Sequence, residues 1–195
     1  MTALDPKVDS ELVARVRDGD QDAFADLLRR HHAPIHGLCL SMLGSSAEAD
    51  DAAQDAFLKA YGSLSKFRGD STFGSWLYRV AANVCLDRLR KRKREKTDSW
   101  EALVEERGDD IERLMPSTPD GSAALEDADL VQRVLAQLPE DHRLILTLRE
   151  VQGLNYQELT ETLDCSLDAV KSRLKRARQG FEQLLRHFLD PKGVQ

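Results

Sequence analysis

Apolar residues recur along this chain every three or four positions, and nowhere in sustained alternation. That period puts them on one stripe of an α-helix. Ser10 is placed to cap a first helix carrying Leu12, Val13 and Val16, ended near Gly19. Asp20 caps a second, with Ala23, Phe24, Leu27 and Leu28 on its apolar side. Pro34 interrupts it, and Ile35, Leu38, Cys39 and Met42 continue the stripe to Gly44. Ser45 and Glu48 have the spacing of a capping box. The helix that follows buries Ala53, Phe57, Ala60 or Tyr61, and Leu64. A glycine-containing loop, 67–72, precedes a long helix from Phe73 to about Arg94, with Leu77, Val80, Ala81, Val84 and Leu89 inward.

The stripe lapses after that and resumes with Leu130, Val131, Val134, Leu135 and Leu138. Pro139 breaks the pattern, and a further helix holds Leu144, Ile145, Leu148 and Val151 up to Gly153. A short helix, a tight turn and a second helix end the series, with Val170, Leu174, Ala177 and Phe181 facing a core. The expected fold is all-α: two small helical domains, 10–95 and 128–189, joined by a flexible acidic linker, 96–127.

Charge sharpens that division. The whole chain carries −6, with 32% charged and 41% hydrophobic residues, which suits small helical domains with much solvated surface. Seven basic residues crowd between Arg88 and Lys96 against Glu95 alone. Between Asp98 and Asp129 eleven acids face Arg107 and Arg113, a net charge of −9. Without that stretch the remainder is +3. The stretch also holds Gly108, Pro116, Pro119 and Gly121 and, apart from Trp100, no aromatics, the composition of a linker.

The last helix is armed on one side. Lys171, Arg173, Lys175, Arg176 and Arg178 lie between its apolar positions and point away from them. A short helix, a turn and a basic second helix is the geometry that enters a DNA major groove. Lysine and arginine supply charged donors to both phosphates and guanine edges. The competing reading is a solvated basic face. The run at 88–94 is less specific, because cations at a helix C-terminus are favoured by the macrodipole alone. Phe67, Phe73, Trp76 and Tyr78 surround the glycine loop near it, and aromatics beside cations suit stacked single-stranded bases. The same aromatics also suit a core, which is the expected place for Trp76.

Catalytic patterns are missing: there is no GxSxG, P-loop, HExxH or dinucleotide fingerprint. Cys39, Cys85 and Cys165 form no CxxC pair and read as small buried hydrophobes. His32 and His36 are four apart near His31 and Cys39, but Pro34 disturbs the helix that a metal site would need. No metal and no cofactor is expected. Asp50, Asp51 and Asp55 read as a solvated helix face or a docking surface for a basic partner. No apolar run reaches membrane-span length and the N-terminus lacks a signal-peptide pattern, so a cytoplasmic protein without membrane insertion is expected.

Two such modules in this order resemble the extracytoplasmic-function (group 4) sigma factors of the sigma-70 family, over about residues 10–189. The segment ADDAAQDAFLKAY, 49–61, resembles the family's core-polymerase-binding helix. FRGDSTFGSWLYRVAAN, 67–83, resembles the segment that melts the promoter and reads its minus-ten element. LPE at 138–140 and VKSRLKRAR at 170–178 resemble the minus-thirty-five module. Ser166-Leu167-Asp168-Ala169 stands where many relatives have proline and glycine, with Asp168 available as a helix cap.

The resemblance implies a non-catalytic factor that binds core RNA polymerase and promoter DNA, is a monomer when free, and is held by an anti-sigma factor. It places Asp51, Gln54, Asp55 and Leu58 against the polymerase. It places Phe67, Arg68, Gly69, Asp70, Ser71, Arg79, Asn83, Arg88, Arg90 and Lys91 at the minus-ten DNA, with a flipped base held by the loop. It places Lys171, Ser172, Arg173, Lys175, Arg176 and Arg178 at the minus-thirty-five DNA. It threads the acidic linker through the channel that later carries RNA; the alternative is a tether kept soluble by its charge. Three other classes compete: a dimeric helix-turn-helix repressor, which leaves 45–83 unexplained; a decoy that only titrates an anti-sigma factor; and a metal-dependent enzyme.

Overall fold

The structure, a computed structural model, describes the backbone of residues 5–104 and 123–189 and the side chains of residues 5–95 and 128–189. Eight α-helices appear among the described residues, and no strand. In the first unit α1 (Pro6–Arg17), α2 (Gln21–Leu43), α3 (Ser46–Ser63) and α4 (Phe73–Val104) pack on one another. In the second, α5 (Ala123–Gln137), α6 (Glu140–Leu146) and α7 (Tyr156–Leu163) gather around α8 (Leu167–Leu189).

Local chemistry sets most boundaries. Asp20 accepts from the backbone N–H of Asp22 and Ala23 at the start of α2, as expected of a cap. Gly44 ends that helix in the left-handed region, φ 75°, and donates to the Leu40 carbonyl at 2.8 Å. Several expectations fail on contacts that are not local. Ser10 does not cap α1; Asp5 does, ahead of Pro6, and the Ser10 hydroxyl turns back to the Pro6 carbonyl. Pro34 does not interrupt α2, which runs through it. The lost backbone bond costs about 3 kcal/mol, but Leu27 and His31 before it and Ile35, Leu38 and Met42 after it are all buried. Packing on both sides of the proline holds the helix together.

Ser45 accepts from the Glu48 N–H at 3.4 Å, yet the Glu48 carboxylate completes no box and instead pairs with Arg92 on α4. α4 continues past Arg94 to Val104, since residues 88–104 are mostly good helix formers and hold no glycine or proline. The centre of the expected linker, 105–122, lies outside the described residues. Val151 faces solvent rather than the core, because α6 passes into a π-helical turn, Thr147–Val151, whose end is marked by Gln152 N–H donating to the Thr147 carbonyl. That extra residue keeps Leu148 buried and rotates Val151 out.

Asn155 and Glu158 form a full capping box on α7. Asp164, φ 50°, makes the turn, and Ser166 rather than Asp168 caps α8, accepting from Ala169 N–H at 3.3 Å. Val170, Leu174 and Ala177 are buried and Phe181 is half-buried.

One continuous apolar core joins the two units. α7 lies against α4, and α2 against α5, α6 and the π-helical turn. Arg143, buried at 8% exposure, organises this junction. Its guanidinium donates to the carbonyls of Leu135, Ala136 and Leu138 at the end of α5, and to Met42 near the end of α2 at 2.7 Å. A cation held by helix C-terminal carbonyls is favoured by their dipoles.

Candidate nucleic-acid interface

The basic side of α8 is built as expected. Lys171, Ser172, Lys175, Arg176 and Arg178 are exposed and Arg173 is half-buried. Two of these arginines are engaged: Arg178 donates to Glu150 at 2.6 and 3.0 Å, and Arg176 folds back on Ser172 at 3.4 Å. Lys171, Arg173 and Lys175 carry no hydrogen bond or ion pair within the described residues. The first three turns of α8 therefore offer unspent charge on one face.

In the glycine loop the backbone turns at Gly69, φ 82°, with Arg68, Gly69 and Asp70 exposed and Ser71 half-buried. Phe67 is buried. Its ring packs on Trp76 at 5.2 Å and Phe73 at 6.0 Å, so it forms the floor under the loop. Trp76 is half-buried against the core. Arg17 from α1 donates to the Phe67 carbonyl and lies 6.0 Å from the Phe67 ring. Beside the loop, Val16, Arg17, Tyr61, Leu64, Ser65, Phe67 and Arg68 line a recess of about 730 Å³. Arg17 has no local sequence signal linking it to residue 67; the contact spans fifty positions.

Along α4, Asn83 is exposed. Arg79 donates to the Glu161 carbonyl of α7. Arg88 pairs with Asp55 on α3, Arg90 with Asp87 at 3.3 Å, and Lys91 with Glu95 at 3.7 Å. The bond to Asp55 leads the causes that push the Arg88 guanidinium still higher. Asp55 and Arg88, expected in two different sites, thus meet each other. Burial, then the neighbouring Glu158 charge, pushes the Tyr78 phenol up.

On the far side of α3, Asp51, Gln54 and Leu58 are exposed and Asp55 is half-buried. Leu58 is 64% exposed. Beside it Gln21, Phe24, Leu28, His32, Asp50, Gln54, Phe57 and Tyr61 line an apolar groove between α2 and α3 of about 630 Å³. Tyr61, one option for the core stripe, points into this groove at 45% exposure, while Ala60 takes the core position. Phe24, Leu28 and Tyr61 were legible as apolar, but their surface role was not. His36 pairs with Asp50 at 3.1 Å and stacks on His32. Among the described residues no three His, Cys, Asp or Glu side chains group as metal ligands, and no helix is long and apolar enough to cross a membrane.

Residues 27–95 match the model of Sigma-70 region 2, and residues 128–179 that of Sigma-70, region 4. The chain is 37% identical to the RNA polymerase sigma-H factor of Pseudomonas aeruginosa, over 95% of this chain and 98% of that one. It is 38% identical to the ECF RNA polymerase sigma-E factor of Escherichia coli, over 89% and 92%. The solved structure of CnrH in complex with the cytosolic domain of CnrY aligns with a TM-score of 0.67 at 26% identity, covering 91% of this chain and 97% of that one. RpoE from Bartonella quintana, solved with the anti-sigma factor NepR, shares the fold at a TM-score of 0.64 and 24% identity, over 84% and 96%. With both region models matched in order and relatives aligned end to end, the chain belongs to the extracytoplasmic-function sigma factors of the sigma-70 family.

Proposed function

We propose that this protein binds core RNA polymerase through α3, reads the minus-ten element with the 67–72 loop and the exposed side of α4, and reads the minus-thirty-five element with α8. As an extracytoplasmic-function sigma factor it directs promoter-specific transcription initiation. The working units are 10–95, the linker 96–127, and 128–189. The observation that carries the assignment is the pairing of two unlike exposed faces in one chain. The acidic, leucine-bearing face of α3 suits a basic protein groove, and the unpaired cations of α8 suit phosphates and base edges.

Within the minus-ten site Arg68 and Asp70 flank the recess lined by Arg17, Tyr61 and Phe67, a place for an unstacked base; Arg79, Asn83, Arg88, Arg90 and Lys91 hold the strand and the adjacent phosphates. The factor works in the cytoplasm, as a monomer when free, without catalysis of its own. An anti-sigma factor is its regulator, as the complex of RpoE with the anti-sigma factor NepR from Bartonella quintana exemplifies for a protein of the same fold.

Transcription in vitro tests the reading. Purified core polymerase, this protein and a library of promoter fragments are combined, and transcripts appear only when both proteins are present. A protein that binds duplex DNA but never joins core or starts a transcript refutes it and favours a dimeric repressor.

A further inference from the structure

The cations around the minus-ten surface differ in how much of their charge is left. Arg88, Arg90 and Lys91 are each paired with a carboxylate. Arg15 in α1 is likewise tied to Asp20 at 2.7 Å. Arg17, the last residue of the same helix, is exposed and makes no ion pair within the described residues. Its partners are neutral: one terminal nitrogen donates to the carbonyl of Phe67 and, at 3.5 Å, to that of Leu64. Its Nε and Nη1 donors carry no hydrogen bond within the described residues.

Neutral partners fix where a guanidinium sits without cancelling its charge. Both carbonyls belong to the segment that leads into the glycine loop, and the guanidinium carbon lies 6.0 Å from the centre of the Phe67 ring. Arg17 is thereby held at the rim of the recess beside the loop. Val16, Tyr61, Leu64 and Phe67 give that recess apolar and aromatic walls, Arg17 and Arg68 are its charged residues, and no acid lines it. Aromatic walls under two arginines suit a flat ring joined to an anion, which is the chemistry of a nucleotide. A guanidinium with free donors binds phosphate through charge-assisted hydrogen bonds.

We infer that Arg17 is a DNA ligand contributed by α1, from outside both the loop and α4: it takes the phosphate joined to the unstacked base. This rests on the minus-ten assignment proposed above. The bond to the Phe67 carbonyl aims the guanidinium, so one side chain serves both the loop and the strand. The cations of α4 that are already paired must give up a carboxylate to bind a phosphate, whereas Arg17 gives up nothing.

Neutral phosphate analogues test this in the holoenzyme. Core polymerase carrying wild-type protein or Arg17→Ala is titrated, by anisotropy, with a labelled non-template minus-ten oligonucleotide that bears one methylphosphonate at a time. In the wild type, the position beside the unstacked base should weaken binding about tenfold, the effect of losing one hydrogen bond to a charged group. In Arg17→Ala the same position should cost nothing further, with the rest of the profile unchanged. The slope of log affinity against log salt should be shallower in Arg17→Ala by about 0.7, the share of one phosphate contact on a single strand.

Arg17→Lys separates charge from the fork. It should keep the wild-type slope but bind between the other two, because a single ammonium cannot serve the loop and the phosphate as the guanidinium does. A residue that only propped the loop would behave otherwise. Affinity would fall in Arg17→Ala while the slope and the methylphosphonate profile stayed as in the wild type, and that pattern overturns the inference. Arg17→Ala binding as tightly as the wild type overturns it too. Should Arg17→Ala fail to fold, the wild-type profile decides: no sensitive phosphate beside the unstacked base overturns it as well. Wild-type holoenzyme that binds no minus-ten strand and starts no transcript sinks the function instead.

Discussion

Leu58 offers the sharpest separation of fold from function. A leucine side chain taken fully out of water contributes about 1.5–3 kcal/mol. Leu58 keeps 64% of its surface in solvent, so about 1–2 kcal/mol remains for a partner to bury. Leu58→Ala therefore costs the fold under about 0.5 kcal/mol, the more so because alanine is the better helix former. Its neighbour Phe57 is 5% exposed, and Phe57→Ala should cost the fold about 3–5 kcal/mol. The binding loss for Leu58→Ala corresponds to about a 5- to 30-fold rise in Kd for core polymerase. The assay titrates fluorescently labelled protein with purified core at constant salt, alongside thermal unfolding of each variant. An unchanged Kd for Leu58→Ala, with an unchanged melting temperature, would show that the exposed face of α3 is not the polymerase surface. A large drop in melting temperature would show that the exposure itself has been misread.

Other perturbations discriminate elsewhere. Arg143→Met removes a guanidinium that serves four carbonyls, and should lower stability by about 3 kcal/mol in urea unfolding; a change under 1 kcal/mol would mean those carbonyls find other partners. Glu150→Gln releases Arg178, so the salt dependence of upstream-duplex binding should steepen by about one charge, and adding Arg178→Ala to that variant should remove the gain; a Glu150→Gln slope equal to wild type would remove Arg178 from the phosphate contacts. Burial would raise the Asp9 carboxyl, but hydrogen bonds and charge from His31 and Arg30 outweigh it and hold Asp9 below the usual carboxylate range. A carboxyl depressed by folding contributes stability that is present above its unfolded pKa and lost as pH falls through the folded one. Asp9→Asn should therefore destabilise near neutrality, with the gap to wild type closing below about pH 4; a gap that is constant with pH would show that the charge of Asp9 plays no part.

How much of this was legible beforehand follows from the range of each interaction. The helices, the apolar stripes and the basic side of α8 depend on neighbours three or four residues apart, and the chain displays them openly. The turn at Gly44 and the cap at Asp20 are equally local. Failures concentrate where a distant contact outweighs a local preference. Pro34 sits inside a helix because core on both sides holds it. Glu48 leaves its capping role for Arg92, forty-four positions away. Phe67 is buried because the rings of Phe73 and Trp76 are there to receive it. In the candidate site, the basic and acidic residue types were visible, but which of them are already spent was not. Asp55 with Arg88 and Arg178 with Glu150 are pairs that only the folded chain makes.

The order of polar and apolar residues by itself determined an all-helical chain, a helix-turn-helix with charge on one side, and an acidic stretch between two basic regions. Periodicity and composition are properties of short windows, and no knowledge of packing is needed to read them. The tertiary structure alone decided that α7 covers α4, that Arg143 ties the end of α5 to the end of α2, and that Arg79 is occupied while Lys171 and Lys175 are free. Those outcomes depend on which surfaces meet when distant segments bury their apolar faces together, and no local window contains both partners.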